Sequence, residues 1–319
     1  MVSHEDLGGL MAMMPAFATD NAADIDARDT ISVERLEKGL DRMIGDGANV
    51  ISTSGSFGEF HTLLPAEFEK LTRAATEINN RRARMFVGVT SLNSREVVEK
   101  MKVVADTKAD GVLLGVPFYF PSSAANAIRF YRDIAGMFPK LGIMIYHNPP
   151  LHNIKLNLGI MREILKIPSV VAMKDSHREI HEFMQLSELA RGKMTVFVNQ
   201  LQYAAFAPLG ARGFWSIDSW FGPAPLLALR DAVARGDMET AARITLDLAP
   251  PVGSTPKDLA WRETAAKVGI RYSGYVDPGP LRPPFVEIPP DVDAAQKKKA
   301  ESWRLLCAKW GAKHSQAAQ

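Results

Sequence analysis

The sequence predicts an α/β protein, a (β/α)8 TIM barrel with a C-terminal helical extension. Three observations lead there. Short apolar runs alternate with longer amphipathic ones eight times within about 220 residues, close to the repeat length of such a barrel. The short runs are continuously apolar, as strands of a parallel sheet covered on both faces are. No G-x-G-x-x-G follows the first run, which counts against the rival doubly wound open sheet with its glycine-rich first turn.

Taken in order, "LMAMMPAF" (10–17) reads as the first strand and "SVERLEKGLDRMI" (32–44) as the first helix. "NVISTS" (49–54) precedes "PAEFEKLTRAATEINN" (65–80), whose Pro65 suits the first turn of a helix. "MFVGV" (85–89) leads to a helix from Ser94 to about Thr107, and "GVLLGV" (111–116) to one across "AANAIRFYRDIAGMF". "GIMIY" (142–146) is followed by "LGIMREILKI" (158–167), and "SVVAMKDS" (169–176) by "EIHEFMQLSELA" (179–190). "MTVFV" (194–198), a helix near 201–209, "RGFWSI" (212–217) and a helix at 223–235 complete eight units. These make a barrel over 1–236. Helical patterns at 237–249, 256–268 and 294–311 predict an extension over 237–319, interrupted by the proline- and glycine-rich "YSGYVDPGPLRPPFVEIPPDV".

Composition narrows the function classes. With 38 basic and 36 acidic residues the net charge is +2, so no overall field marks the chain as a nucleic-acid or membrane binder, and a small-molecule partner is expected. "MVSHEDLGGL" lacks the basic region and apolar core of a signal peptide, and no apolar run approaches the roughly 20 residues of a membrane helix. The expected location is cytoplasmic. A single cysteine, Cys307, excludes an internal disulfide and any multi-cysteine metal site, and in "WRLLCAKW" it reads as a packed thiol.

A barrel of this kind carries its chemistry at the C-terminal ends of its strands. Strand one ends at Pro15 and Phe17, strand two runs into "SGSFGEF", and strand four into "PFYF". Strand five closes at Tyr146 before "HNPP", strand six at Lys174, and strand eight carries Trp215 and Ser216. A lysine drawn partly out of water at such a mouth loses preference for its charged form and can attack a ketone, giving an imine that withdraws electrons from the adjacent carbon. Read alone, Lys174 is better explained as a lysine that snorkels from a strand end, and its context reverses that preference. Tyr146 beside it offers a proton where imine chemistry needs one moved. In "GSFGE", Gly55 and Gly58 allow a tight turn with exposed amides, and Ser56 adds a hydroxyl, a set able to hold a carboxylate.

Together these motifs resemble the pyruvate-dependent class I aldolase family that includes dihydrodipicolinate synthase and N-acetylneuraminate lyase. The resemblance runs from "MMPAF" through "GSFGEFHTL", "PFYF", "IMIYHNP" and "VVAMKDS" to "GARGFWS". It implies that Lys174 forms a Schiff base, that Tyr146 shuttles protons, and that Ser56 with the Phe57 amide binds the carboxylate of a pyruvate unit. Two departures narrow the branch. The synthase pattern "GTTGE" has a second threonine in a hydroxyl relay, where this chain has Phe57; its "NVPSRTG" has an arginine for a second carboxylate, where Leu151 stands here. Both changes are similar to the aromatic-degrading hydratase-aldolases of the trans-o-hydroxybenzylidenepyruvate type, as are "FWS" (214–216) and "GPLRPPF" (279–285). For that branch Phe57 and Trp215 are expected to wall an aryl ring and Asn148 to position water or the nascent hydroxyl. Gly55, Tyr119 and Ser216 are further substrate-binding candidates, although Phe57 interrupts any relay to Tyr119.

The resemblance implies a lyase that hydrates and cleaves an arylidene pyruvate to an aromatic aldehyde and pyruvate, without cofactor or metal, as a homodimer or homotetramer. Its rivals within the family are an aldolase or dehydratase of a sugar-derived 2-keto acid and a synthase-like condensation. A metal-dependent aldolase would need ligands; His177 and His181 share a helix face in "HREIH", but no third ligand accompanies them. His61, His147 and His152 are placed on loops near the mouth. A barrel kept only as a binding scaffold is the non-enzyme alternative.

Overall fold

The computed structural model describes residues 1–176, 178–249 and 264–317, with side chains as far as 311. Eight strands, β1 (Gly9–Met13), β2 (Val50–Thr53), β3 (Arg84–Gly88), β4 (Gly111–Leu114), β5 (Gly142–His147), β6 (Val170–Asp175), β7 (Thr195–Asn199) and β8 (Gly213–Ser216), close into a parallel barrel in sequence order. Around them lie α1 (Val33–Gly45), α2 (Pro65–Asn79), α3 (Ser94–Ala105), α4 (Ala124–Met137), a short α5 (Pro149–His152), α6 (Leu158–Ile164), α7 (Ile180–Ala190), α8 (Tyr203–Phe206) and α9 (Ala224–Ala234). The chain continues through α10 (Met238–Leu248), α11 (Thr264–Ser273) and α12 (Pro290–Ala317).

Local chemistry accounts for the boundaries. The side chains of Ser32, Asn93, Ser123 and Asn157 each accept an amide from the first turn of the helix they precede, satisfying donors that have no partner inside the helix. Pro65, Pro149 and Pro290 each open a helix, where a missing N–H costs nothing. Strand β1 stops at Met13, short of the apolar run's end, because Pro15 has no amide to donate to a ladder. The expected helix near 201–209 divides into α8 and a 3-10 turn at Ala207–Leu209, where Pro208 forbids continuation. Helix α5 was not expected. Of the pattern at 256–268, residues up to 263 lie outside the described residues; its remainder enters α11, which runs on to Ser273.

All eight strands are buried along most of their length, and one contiguous apolar core joins barrel and extension, from Leu10 and Phe86 to Ile270, Trp303 and Trp310. Helix α12 packs on α9 and α11, with the Trp303 indole donating to the Gly222 carbonyl at 2.8 Å. Cys307 is half-buried in this layer, its thiol pushed up to about 11 by burial, which suits packing rather than reaction. Among the described residues no helix is long and apolar enough to cross a membrane.

Candidate active site

Adjacent strands bring Tyr146 of β5 and Lys174 of β6 into direct register, so both side chains leave the same face at the same height. Both are buried, at 3% and 4% exposure. The Lys174 Nζ lies 4.4 Å from the centre of the Tyr146 ring and 3.9 Å from that of Trp215 on β8, and 3.5 Å from the Ser176 hydroxyl. An ammonium held between two ring faces is partly compensated for the water it has lost. The Trp215 indole is fixed in turn by donating to the Asp175 carbonyl at 3.1 Å.

The turn after β2 reaches the same point from across the barrel mouth. The Ser56 hydroxyl is 2.9 Å from the Tyr146 hydroxyl, and the Asn148 side-chain amide donates to that same oxygen at 3.4 Å. Phe57 removes a hydroxyl from this turn, yet Ser56 supplies one to Tyr146, so the tyrosine keeps a hydroxyl partner. The Glu59 amide donates to the Ser56 carbonyl at 3.0 Å, while the amides of Ser56 and Phe57 have no hydrogen-bond partner among the described residues. Free amides beside a hydroxyl make a concavity suited to an anion. A Cβ on Gly58 would lie 2.6 Å from the Ser54 nitrogen, so only glycine closes the turn. Ser54 and Glu59 take left-handed backbone angles, φ 48° and 53°. Each costs about 1–2 kcal/mol in a residue with a Cβ and persists only where the surroundings impose it.

Gly55, Ser56, Asn148, Tyr146, Lys174 and Trp215 thus gather at one end of the barrel. Two expected members do not join them. Tyr119 is 71% exposed and packs edge-on against Phe120, itself 75% exposed. Ser216 follows Trp215 directly, and strand alternation sends its side chain to the opposite face. There its hydroxyl donates to Gln200 Oε1 at 2.5 Å and accepts the Ser219 amide at 3.1 Å. Phe57 is 3% exposed, as deeply buried as Tyr146, and packs in the apolar core beside this turn.

The loop placement of His147 is corrected. It is the last residue of β5, 2% exposed, paired in register with Asp175. Its Nε2 accepts the Leu156 amide at 3.2 Å, which leaves Nδ1 to donate to Asp175 at 2.9 Å. Arg178 adds its Nε to the same carboxylate at 2.5 Å. Burial alone pushes the Asp175 carboxyl up; His147 and Arg178 outweigh it and hold it below the usual carboxylate range. This group locks the end of β6 one residue beyond Lys174. A signal for it existed: an acid on the outer face of an apolar strand needs a cation, and Arg178 stands three residues on.

His152 is 4% exposed and meets the Tyr146 ring edge-on at 4.8 Å. Gly115 makes room for it, since a Cβ there would lie 2.4 Å from the imidazole. Burial, with the charge of Lys174 nearby, lowers its pKa to about 4. The unfolded chain takes up this proton near pH 6.5 and the native chain only near 4. The neutral ring's contribution is therefore complete above pH 6.5 and lost as pH falls towards 4. Between pH 6.5 and 5 the loss is about 1.6 kcal/mol. Urea unfolding of the native chain and of His152→Gln at these two pH values should give an acid limb shallower by that amount in the variant; parallel curves would refute the assignment.

Of the metal-ligand pair considered above, His177 lies outside the described residues, and His181 is exposed with its ring 3.4 Å from Gln185. Among the described residues no three His, Cys, Asp or Glu side chains converge as a metal site would require.

Comparison with known proteins identifies the family. The signature of the dihydrodipicolinate synthetase family matches residues 13–302. The chain belongs to that family. The trans-O-hydroxybenzylidenepyruvate hydratase-aldolase of Pseudomonas putida is 30% identical over 319 residues, covering 96% of each chain. The trans-2'-carboxybenzalpyruvate hydratase-aldolase of Nocardioides sp. (strain KP7) is 25% identical over 90% of each. Among solved structures, PhdJ bound to substrate intermediate superposes with a TM-score of 0.90 at 24% identity, over 97% of this chain and 99% of that one. This last likeness is one of fold.

Proposed function

We propose that this member of the dihydrodipicolinate synthetase family is a Schiff-base hydratase-aldolase that converts an arylidene pyruvate and water to an aromatic aldehyde and pyruvate. The observation that carries the reading is the position of Lys174 Nζ, buried between the Tyr146 and Trp215 rings beside the Ser56–Tyr146 hydroxyl pair. The two named hydratase-aldolases, similar over nearly the full chain, support the substrate class.

In the proposed reaction the substrate carboxylate rests on the Ser56 hydroxyl and the Phe57 amide. The Lys174 amine adds to the ketone carbon, and loss of water leaves an iminium conjugated to the side-chain double bond. Water then adds to the carbon bearing the aryl group, guided by the Asn148 amide, while the next carbon gains a proton. Tyr146 takes the proton of the new hydroxyl as the carbon–carbon bond breaks. The bonding pair moves into the iminium, the aldehyde leaves, and an enamine remains. Protonation of its terminal carbon and hydrolysis return the amine and release pyruvate. The water consumed in hydrolysis replaces that lost on imine formation, so the net reaction uses one water.

For assembly we retain the homodimer or homotetramer implied by family resemblance; the exposed Tyr119–Phe120 pair is consistent with a buried role in such an assembly, which light scattering would measure.

Incubation with pyruvate and borohydride should add one reduced pyruvate unit to the peptide containing Lys174. In a panel of arylidene pyruvates and sugar-derived 2-keto acids, pyruvate release should favour the former by on the order of 10²-fold in kcat/KM, since a hydroxyl-rich chain leaves its polar groups unpaired against Trp215. Preference for the sugar acids would assign the substrate to the other branch, and no trapped adduct would leave a binding scaffold.

A further inference from the structure

The C-terminal extension carries two cations that reach under the barrel mouth to the turn holding Ser56. Lys267 of α11 and Arg282 of the following irregular segment are 1% and 2% exposed, and both bind Glu59 Oε2, at 2.6 and 3.0 Å. Glu59 is itself 3% exposed. Both cations also donate to the Ala16 carbonyl beyond β1, at 3.3 and 3.0 Å, and Lys267 donates to the Pro280 carbonyl at 2.7 Å. Arg282 continues to Thr30, with Nε on its hydroxyl at 2.8 Å and Nη2 on its carbonyl at 2.8 Å. The Thr30 hydroxyl passes its hydrogen to Glu67, whose other oxygen takes the Leu64 amide at 2.8 Å. Two acids and two cations thus balance in a buried cluster drawn from segments far apart in sequence.

Surplus stability alone does not explain its location. A buried ionic cluster is often no more stabilising than an apolar one of the same volume, so its use lies in what it specifies. Here it specifies Glu59, which is left-handed, closes the turn by donating its amide to Ser56, and has its carboxylate clamped from outside the barrel. Rotating Glu59 out of that conformation would swing the Ser56 and Phe57 amides and carry the Ser56 hydroxyl away from Tyr146.

We propose that Lys267 and Arg282 are positioning residues for the substrate carboxylate, acting through Glu59 to hold the Ser56–Phe57 turn. The extension is in this sense part of the active site, with Lys267 and Arg282 acting through Glu59 from beneath the turn. The inference rests on reading that turn as the carboxylate site.

The test uses the full chain. Lys267→Met should raise KM for substrate and the inhibition constant of pyruvate by about tenfold or more, with kcat changed by less than about threefold. The double variant Glu59→Gln/Lys267→Met removes the charges as a pair; it should regain native thermal stability but keep the high KM, whereas KM returning together with stability would reduce the cluster to a structural role and overturn the proposal. Arg282→Lys, which retains charge but not the forked contact to Thr30, should fall between. In the unaltered protein, borohydride-trapped pyruvate should slow amide exchange in 54–62 and in 264–282 together; unchanged exchange in the second segment overturns the proposal even if Lys267→Met does not fold. Ser56→Ala separates the two layers. If it weakens pyruvate about tenfold while Lys267→Met does not, the carboxylate reading stands and this inference falls; if Ser56→Ala leaves pyruvate binding unchanged, both fall.

Discussion

Replacing Lys174 with methionine is expected to lower pyruvate release by at least about 10⁴-fold, with the far-UV spectrum and thermal transition retained. Without an imine, carbon–carbon scission must place a full negative charge on the carbon next to a neutral ketone. Methionine also fills nearly the same volume between the Tyr146 and Trp215 rings, so the fold loses little packing. Arginine at the same position is the more searching replacement. Its guanidinium keeps the positive charge against both rings but stays protonated and cannot add to a ketone. If Lys174 acts covalently, the arginine variant is as inactive as the methionine one. Retention of even a tenth of the native rate by Lys174→Arg would mean that position 174 supplies charge alone, and the Schiff-base mechanism would have to be abandoned.

The barrel was legible because its signals are local. Each strand is an apolar run closed by Gly, Pro or a polar residue, and each major helix on the barrel except α7 has a periodic face with a cap or an opening proline. Lys174 and Tyr146 were legible for a related reason: a lysine or tyrosine that interrupts an apolar run at its C-terminal end can only emerge at the barrel mouth. What stayed hidden depends on partners distant in sequence or on face. Glu59 and Lys267 are 208 positions apart, and nothing near either residue names the other. The knot of His147, Asp175 and Arg178 requires the β5–β6 register, which shifts at Ile143/Met144 and cannot be counted from the runs alone. Ser216 is different, since its alternation with Trp215 already placed the two on opposite faces. Tyr119 lies past the end of β4 in a loop, where no periodicity tells inside from outside, and the chain there turns it to solvent.

Tyr146→Phe should reduce kcat by about 10²- to 10⁴-fold while KM changes little, because it deletes one hydroxyl and leaves the ring on which Lys174 and His152 pack. The size of the loss alone does not say what the hydroxyl does, and the Ser56 contact offers a sharper reading. Ser56 has two tasks in the proposed reaction: its hydroxyl meets the carboxylate, and at 2.9 Å it also shares a hydrogen with Tyr146. If the two hydroxyls pass a proton as one unit, Ser56→Ala in the Tyr146→Phe background costs little further in kcat, and the cycle shows a coupling of about 1 kcal/mol or more. If Ser56 serves only the carboxylate, its effect lies in KM and adds independently to that of Tyr146. The 3.4 Å contact from Asn148 supplies the internal control, since it donates to the Tyr146 oxygen and can orient the phenol but cannot relay its proton as a hydroxyl does. Asn148→Ala should therefore lower hydration of the arylidene double bond more than cleavage of the already hydrated aldol, whereas Tyr146→Phe should slow cleavage of both. Equal losses on the two substrates in both variants would show that Asn148 and Tyr146 act at one step, and the division of water addition from bond breaking would fail.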